Sequence, residues 1–349
     1  MRPNVPLAGP QTALLSLVVN SSEPPHWSRA PVVAIGLATV YGLLLYAVAA
    51  HLESWGGKGS GFMTFSFLFG VPLFAPSIAI RLIDPAGRLS QARHGWIGLG
   101  VFVALTLAAL AVDGLGICLV MVSPIYLVAS IVSAMATGGI MRDRSTLQMQ
   151  ALIALPLLLL PVEGAMLPPV QSVSEETSIV IAAPPERVWK QLVEVRDIAP
   201  AEQVTTFAQD IVGIPKPVDA RLVGRGVGAV RHVRWGRGIN FEERVTEWQP
   251  NHRLAWRFAF HPGSFGTAID DHIDPDSDYL KVDAGTYTLQ PVAGGTKLSL
   301  RTDYLLATRL NWYCIAWGRL LIGDFHRNVL HVIRERSERR ALASAAPLA

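Results

Sequence analysis

The sequence predicts two fold regimes in one chain: a bundle of membrane-crossing α-helices, then an α+β domain in which a curved antiparallel sheet wraps a long C-terminal helix. Two observations carry this expectation. Charge is spread unevenly, because residues 31–167 hold 11 charged side chains in 137 positions and residues 168–349 hold 43 in 182. The first density belongs to a lipid-solvated segment and the second to an ordinary soluble domain. The second observation is a change of pattern at Pro168-Pro169, from long apolar windows to short alternating runs divided by turn residues.

These features exclude a single water-soluble globule, a disordered chain and a fibrous protein. They also argue against nucleic acid as a partner. The net charge of +3 is shared as +1 each by residues 1–30, 31–167 and 168–349, so no region carries an extended basic field.

The charge-free windows run over 30–52, 59–80, 95–112, 114–141 and 145–162. Crossing the hydrocarbon core takes about 20 apolar residues. Transmembrane helices are therefore expected near 31–51, 61–81, 96–112, 115–139 and 147–165, after an N-terminal tail over 1–30. Pro72, Pro76, Pro124, Pro156 and Pro161 predict kinks. The count becomes four if the Pro124 segment is re-entrant. Lys and Arg decide the orientation. Arg2, Arg29, Arg81, Arg88, Arg93, Arg142 and Arg144 fall on one side of a five-span path and Lys58 alone on the other. This places the N-terminus in the cytoplasm and the C-terminal domain outside, with a bacterial inner membrane and periplasm as the expected setting. The apolar run Ala13–Val19 is too short for a signal peptide, so the first span is expected to act as an uncleaved anchor. Cys118 in a span and Cys314 in a soluble helix do not suggest a disulfide, so the domain over 168–342 must stand on its hydrophobic core. A short tail, 343–349, follows.

Within that domain, Ser178–Ala183 reads as a strand. Pro184-Pro185 followed by Val188, Trp189, Leu192 and Val193 reads as a short amphipathic helix. Strands follow near 218–224, 229–235, 239–248, 252–260, 278–290 and 296–305, and a long helix closes the chain over 309–340. A strand, a helix, a run of antiparallel strands and one final helix make an α+β order.

Here the residues resemble a known family. The segment Ile179 to Trp189 (IVIAAPPERVW) resembles the opening of the START-like, polyketide-cyclase/dehydrase superfamily, often called SRPBCC. So do Phe241 to Pro250 (FEERVTEWQP), Gly285 to Leu289 (GTYTL), the Gly294-Gly295-Thr296 turn, and the final helix with Trp317, His326, Leu330 and Arg334-Glu335-Arg336. The resemblance covers about residues 174–340. It implies a helix-grip fold with a hydrophobic cavity between sheet and long helix, used for lipids, polyketides and other apolar ligands. It leaves open whether a reaction is catalysed, although ligand binding is the favoured expectation over a cyclase-like or dehydratase-like enzyme.

The sharpest internal signal is a charge pair. If Gly236-Arg237-Gly238 centres a hairpin, Trp235 meets Ile239, Val233 meets Phe241, and Arg231 meets Glu243, all on one face. That face carries Val233, Phe241 and Val245 and should look inward. Arg231 and Glu243 would then be charges facing the core, tolerable only if paired. They are either a polar anchor for a ligand's carboxylate or carbonyl, or a buried ion pair that fixes the hairpin. Trp256, Phe258, Tyr287, Tyr304, Trp312 and Trp317 either line a pocket or fill the core. His326, on the stripe of Ile322, Val329 and Leu330, reads as a satisfied core histidine or a ligand contact.

No metal or cofactor is expected. Asp274, Asp276 and Asp278, beside Asp270, Asp271 and His272, begin like a calcium loop. Tyr279 and Gly285 then occupy the positions that need a glycine and a glutamate, so a solvated loop is expected. Gly224, Gly226 and Gly228 precede no helix and are turn glycines. In the membrane half, His51, Glu53, Asp113 and Glu163 fall at the outer ends of spans. They are expected to anchor, or to form a shared site facing the soluble domain. The expected partners are the bilayer and a hydrophobic small molecule or lipid, with oligomeric state left open.

Overall fold

The computed structural model describes residues 30–56, 64–113, 116–141, 155–156, 158–163, 165–265 and 274–345. Its N-terminal part is helical: α1 (Ala30–Gly56), α2 (Phe65–Leu68), α3 (Gly70–Ile83), α4 (Gln91–Asp113) and α5 (Ile117–Ile140). Among the described residues these make four segments long and apolar enough to cross a membrane, with α2 and α3 forming one. The break at Phe69 has a local cause. Pro72 has no N–H to offer the Leu68 carbonyl and its ring crowds that oxygen, so the helix interrupts one turn upstream. The four segments match the expected windows at 31–51, 61–81, 96–112 and 115–139. The fifth, 147–165, lies largely outside the described residues, as do Arg142, Arg144 and Lys58. Its helical part is seen over 158–163.

Small residues let these helices approach. Ala38, Ala49, Ala75 and Ala79 are fully buried between them, whereas Val32, Val33, Val128 and Val132 face outward. A Cβ at Gly98 would meet the Ser130 carbonyl oxygen at 2.5 Å. Hydroxyls link helices across the bundle, with Ser77 Oγ 2.8 Å from Thr137 Oγ1 and 3.1 Å from Ser133 Oγ. Both features suit packing in a solvent where apolar surface alone gives no drive to associate.

The C-terminal part contains β1 (Val170–Ile181), α6 (Pro185–Leu192), β2 (Pro217–Val223), β3 (Val230–Trp235), β4 (Asn240–Gln249), β5 (Arg253–Ala259), β6 (Leu280–Val292), β7 (Gly295–Ala307) and α7 (Asn311–Ala345). The seven strands form one antiparallel sheet in the order β1-β7-β6-β5-β4-β3-β2. Register shifts at Pro217/Asp219, Val245/Glu247 and Val282/Ala284 bend the strands and coil the sheet. Helix α7 packs along β1 and β7 inside the curve, which is the helix-grip arrangement. Ile181, Leu192, Leu254, Leu298, Leu330 and Ile333 make its fully buried centre. Near its C-terminal end, Arg336 binds Glu202 through both carboxylate oxygens, at 2.9 and 2.6 Å, and reaches the Arg196 and Asp197 carbonyls.

Three expectations need correction. The first strand begins at Val170 and not at Ser178, because β7 offers a long ladder that its edge partner follows through the polar stretch 174–177. The final helix runs to Ala345, past the expected limit at 340 and into the tail expected from 343. A wide turn over Phe207–Ile211 lies where no element was expected. Thr206 caps it locally, accepting from Gln209 N–H, and α7 holds it from outside: Asp324 accepts from Ala208 N–H at 2.7 Å and Asn328 donates to Gln209 Oε1 at 2.6 Å.

Candidate functional site

The 236–238 hairpin sets the site. Arg237 and Gly238 both adopt positive φ, 55° and 82°, which turns the chain tightly enough to pair the flanking strands in the expected register. Arg231 faces Glu243, Val233 faces Phe241, and Trp235 N–H donates to the Ile239 carbonyl at 2.8 Å. The alternation turns Arg231, Val233, Phe241, Glu243 and Val245 inward, where all are buried.

Between this face and α7 lies a cavity of about 320 Å³ with an almost wholly apolar wall. The helix contributes Cys314, Trp317, Leu321, Phe325 and Val329, one stripe at helical spacing. All eight residues expected at the site line the cavity: Arg231, Glu243, Trp256, Phe258, Tyr287, Tyr304, Trp317 and His326. Trp312 does not. It points outward and is 69% exposed.

The polar part of the cavity is concentrated around Arg231. Its guanidinium carbon lies 5.3 Å from the Trp256 ring centre and 5.9 Å from that of Tyr287, within cation–π range of both. Nη1 approaches Glu243 Oε2 at 3.2 Å, but the contact is misaligned and neither atom completes a hydrogen bond. Arg231 Nε, Trp256 Nε1 and the Tyr304 hydroxyl also lack a hydrogen-bond partner among the described residues. Buried polar groups are ordinarily satisfied, so several left open on one apolar cavity mark a place for a polar atom brought from outside. Burial pushes the Glu243 carboxyl above the usual carboxylate range, against the opposing pull of Arg231. Burial also raises the Tyr287 and Tyr304 phenols to about 12, so both keep their protons near neutrality.

Two glycines permit this packing. A Cβ at Gly285 would stand 2.3 Å from the Trp256 ring, and one at Gly318 would stand 2.5 Å from the Tyr304 hydroxyl. Each lets an aromatic side chain lie directly on backbone.

His326 is satisfied at both nitrogens, with Nε2 2.8 Å from Thr302 Oγ1 and Nδ1 3.2 Å from Thr177 Oγ1. Burial lowers its pKa from 6.5 to about 4. The folded state therefore resists protonating a group that the unfolded chain protonates readily. The stability so contributed is complete above pH 6.5 and drains as pH falls toward 4. Thermal melts of the purified protein should fall across that window, and His326→Gln should flatten the slope there. An unchanged slope would mean that other groups cause it.

Two of the remaining candidates hold local structure. Asp276 N–H donates to Asp274 Oδ1 at 3.0 Å in an open loop, and no cluster of metal-ligating side chains occurs among the described residues. Asp270, Asp271 and His272 lie outside the described residues. Glu163 Oε2 accepts from Ser66 N–H at 2.9 Å, which ties two helix ends together. His51 is exposed. The side chains of Glu53 and Asp113 are outside the described set.

One wall of the cavity comes from a helix in which no site was expected. Ile117, Cys118 and Met121, in the first turns of α5, also line it. Ile117 and Met121 share an apolar cluster with Ala208, Val212, Ile214, Leu321 and Phe325. The Tyr313 hydroxyl donates to the Met121 carbonyl. The two cysteines, between which no disulfide is expected, thus both lie on this cavity.

Residues 172–337 match the family described as polyketide cyclase / dehydrase and lipid transport. Among solved structures, an aromatase/cyclase from Streptomyces sp. R1128 is 15% identical, covering 51% of this chain and 100% of its own, with a TM-score of 0.32. A protein from Nitrosomonas europaea is 16% identical, covering 50% and 97%, with a TM-score of 0.30. One from Rhodobacter sphaeroides is 18% identical, covering 52% and 100%, with a TM-score of 0.30. No curated protein matches the chain. Residues 172–337, which hold most of the helix-grip sheet and its long helix, are thus similar to the polyketide cyclase / dehydrase and lipid transport family.

Proposed function

We propose that the protein is a membrane-anchored binder of an apolar small molecule or lipid that carries an acceptor oxygen, as a carboxylate or carbonyl, at one end. The observation that carries this reading is the set of unsatisfied donors on Arg231, Trp256 and Tyr304 in an otherwise apolar cavity. An apolar body would displace water from the wall while an acceptor oxygen met the open N–H groups. Phe258, Tyr287, Trp317 and His326 supply the surrounding surface.

The five-span path with a cytoplasmic N-terminus and a periplasmic domain is part of the same reading. It is supported by the Lys/Arg bias and by contacts at the ends of the bundle. Met121, near the start of α5, and Glu163 both touch the soluble domain, although α5 runs 24 residues away from it. A second reading is cyclase-like or dehydratase-like chemistry on the bound molecule. It draws on one observation, the raised Glu243 carboxyl in the same cavity as two protonated phenols.

Organic extraction of the purified full-length protein, followed by mass spectrometry, tests the binding reading. One apolar molecule per chain is expected, and a molecule recovered chemically altered after incubation would favour the second reading. Protein that carries nothing and takes up no apolar amphiphile would refute the first.

A further inference from the structure

The membrane helix in the cavity wall suggests how a ligand would reach it. Resting on the binding reading above, we propose that the cavity loads laterally. The portal lies between the first turns of α5 and the N-terminal half of α7, and the ligand comes from the lipid leaflet beside it and not from water.

Three observations support this inference. The wall at the junction is built from Ile117, Cys118 and Met121 on α5 and Cys314, Trp317 and Leu321 on α7, with no charged side chain among them. An acyl chain passing between these helices would meet no desolvated charge, which is the costliest barrier to such a path. The second observation is that α5 is long and apolar enough to cross a bilayer. Val128 and Val132, two to four turns further along, are 62% and 56% exposed on its outer surface.

The third is a rim of large apolar side chains left uncovered at this junction. Ile211 is 71% exposed, Trp312 69%, Met166 58% and Leu167 96%. Their neighbours fix the rim against the membrane half. Asn311 donates to the Pro169 carbonyl at 2.8 Å, Arg309 to the Met166 carbonyl at 3.0 Å, and Tyr313 to Met121. Apolar and tryptophan side chains at the end of a membrane bundle suit the headgroup boundary. The outward Trp312, unexplained by the cavity, finds a solvent there. Tethering the domain at this depth also keeps the local ligand concentration high.

A portal controls rates and a binding site controls equilibrium, so the test separates them. The full-length protein is reconstituted in phosphatidylethanolamine/phosphatidylglycerol bilayers with an anthroyloxy-labelled stearate as probe. Binding is followed by energy transfer from tryptophan. Wild type should load faster from its own probe-doped bilayer than from probe added in buffer. Met121→Trp and Ile117→Trp, which narrow the portal, should slow loading and release alike by about tenfold, a larger change than either makes in Kd. Val132→Trp, on the lipid face, should change neither. Equal loading rates in wild type and both portal variants, or loading from buffer as fast as from the bilayer, would overturn the portal and leave the binding reading standing. No binding of the stearate by wild type would remove both.

Discussion

Replacing Arg231 with Met, or Glu243 with Leu, is expected to destabilise the soluble domain by about 3–5 kcal/mol in each single variant, whereas the double variant recovers most of the loss. Each single change leaves one buried group facing a partner of the wrong kind. Arg231 is 3% exposed and Glu243 7%, so the survivor stays buried without its partner. The double change removes both desolvation penalties and fills the space with apolar atoms. Denaturant unfolding of the four proteins gives the coupling directly. The two expectations for the pair then separate. A purely architectural pair predicts that the double variant still binds apolar ligand with undiminished affinity. An anchor predicts a stable double variant that has lost the ligand. The misaligned 3.2 Å contact favours the anchor, because a pair selected to fix a hairpin would be expected to align its hydrogen bonds.

Gly285→Ala is the second large effect. The new methyl would fall 2.3 Å from the Trp256 ring, and the ring is 3% exposed with Tyr287 and Phe258 packed against it at centroid distances of 5.1 and 6.1 Å. The indole cannot move without displacing Arg231 from its face. Overpacking of this kind costs about 1–3 kcal/mol. Thermal melts should show the loss, and Trp256→Leu in the same chain should restore part of it by vacating the ring's space. Additive losses in the double variant would show that the glycine serves the strand and not the indole.

Much of this arrangement was legible before the structure. The strand register around Gly236-Arg237-Gly238 followed from a two-residue period and one turn, and that was enough to bring Arg231 opposite Glu243 and turn both inward. The long helix followed from the 3.6-residue period, which put His326 on an inward stripe, whereas Trp317 could be read only as an aromatic of either pocket or core. What stayed hidden depends on contacts between residues far apart in the chain. Met121 meets Tyr313 across 192 residues. Within α5, Ile117, Cys118 and Met121 look like any other apolar residues of a span. The turn at Phe207–Ile211 has a local cap in Thr206, but its ties to Asp324 and Asn328 on α7 span more than a hundred residues. Trp312 misled for the same reason, since one step around the helix separates a cavity-facing aromatic from one that faces the membrane side.

The account rests on the cavity holding an apolar molecule anchored at Arg231. Native mass spectrometry of the full-length protein, released gently from its membrane and compared with the Arg231→Met/Glu243→Leu variant, measures this most directly. The account predicts that wild type carries one small apolar molecule per chain, released by organic solvent, and that the equally folded variant lacks it. Wild type and variant of identical occupancy, whether both loaded or both empty, would contradict it.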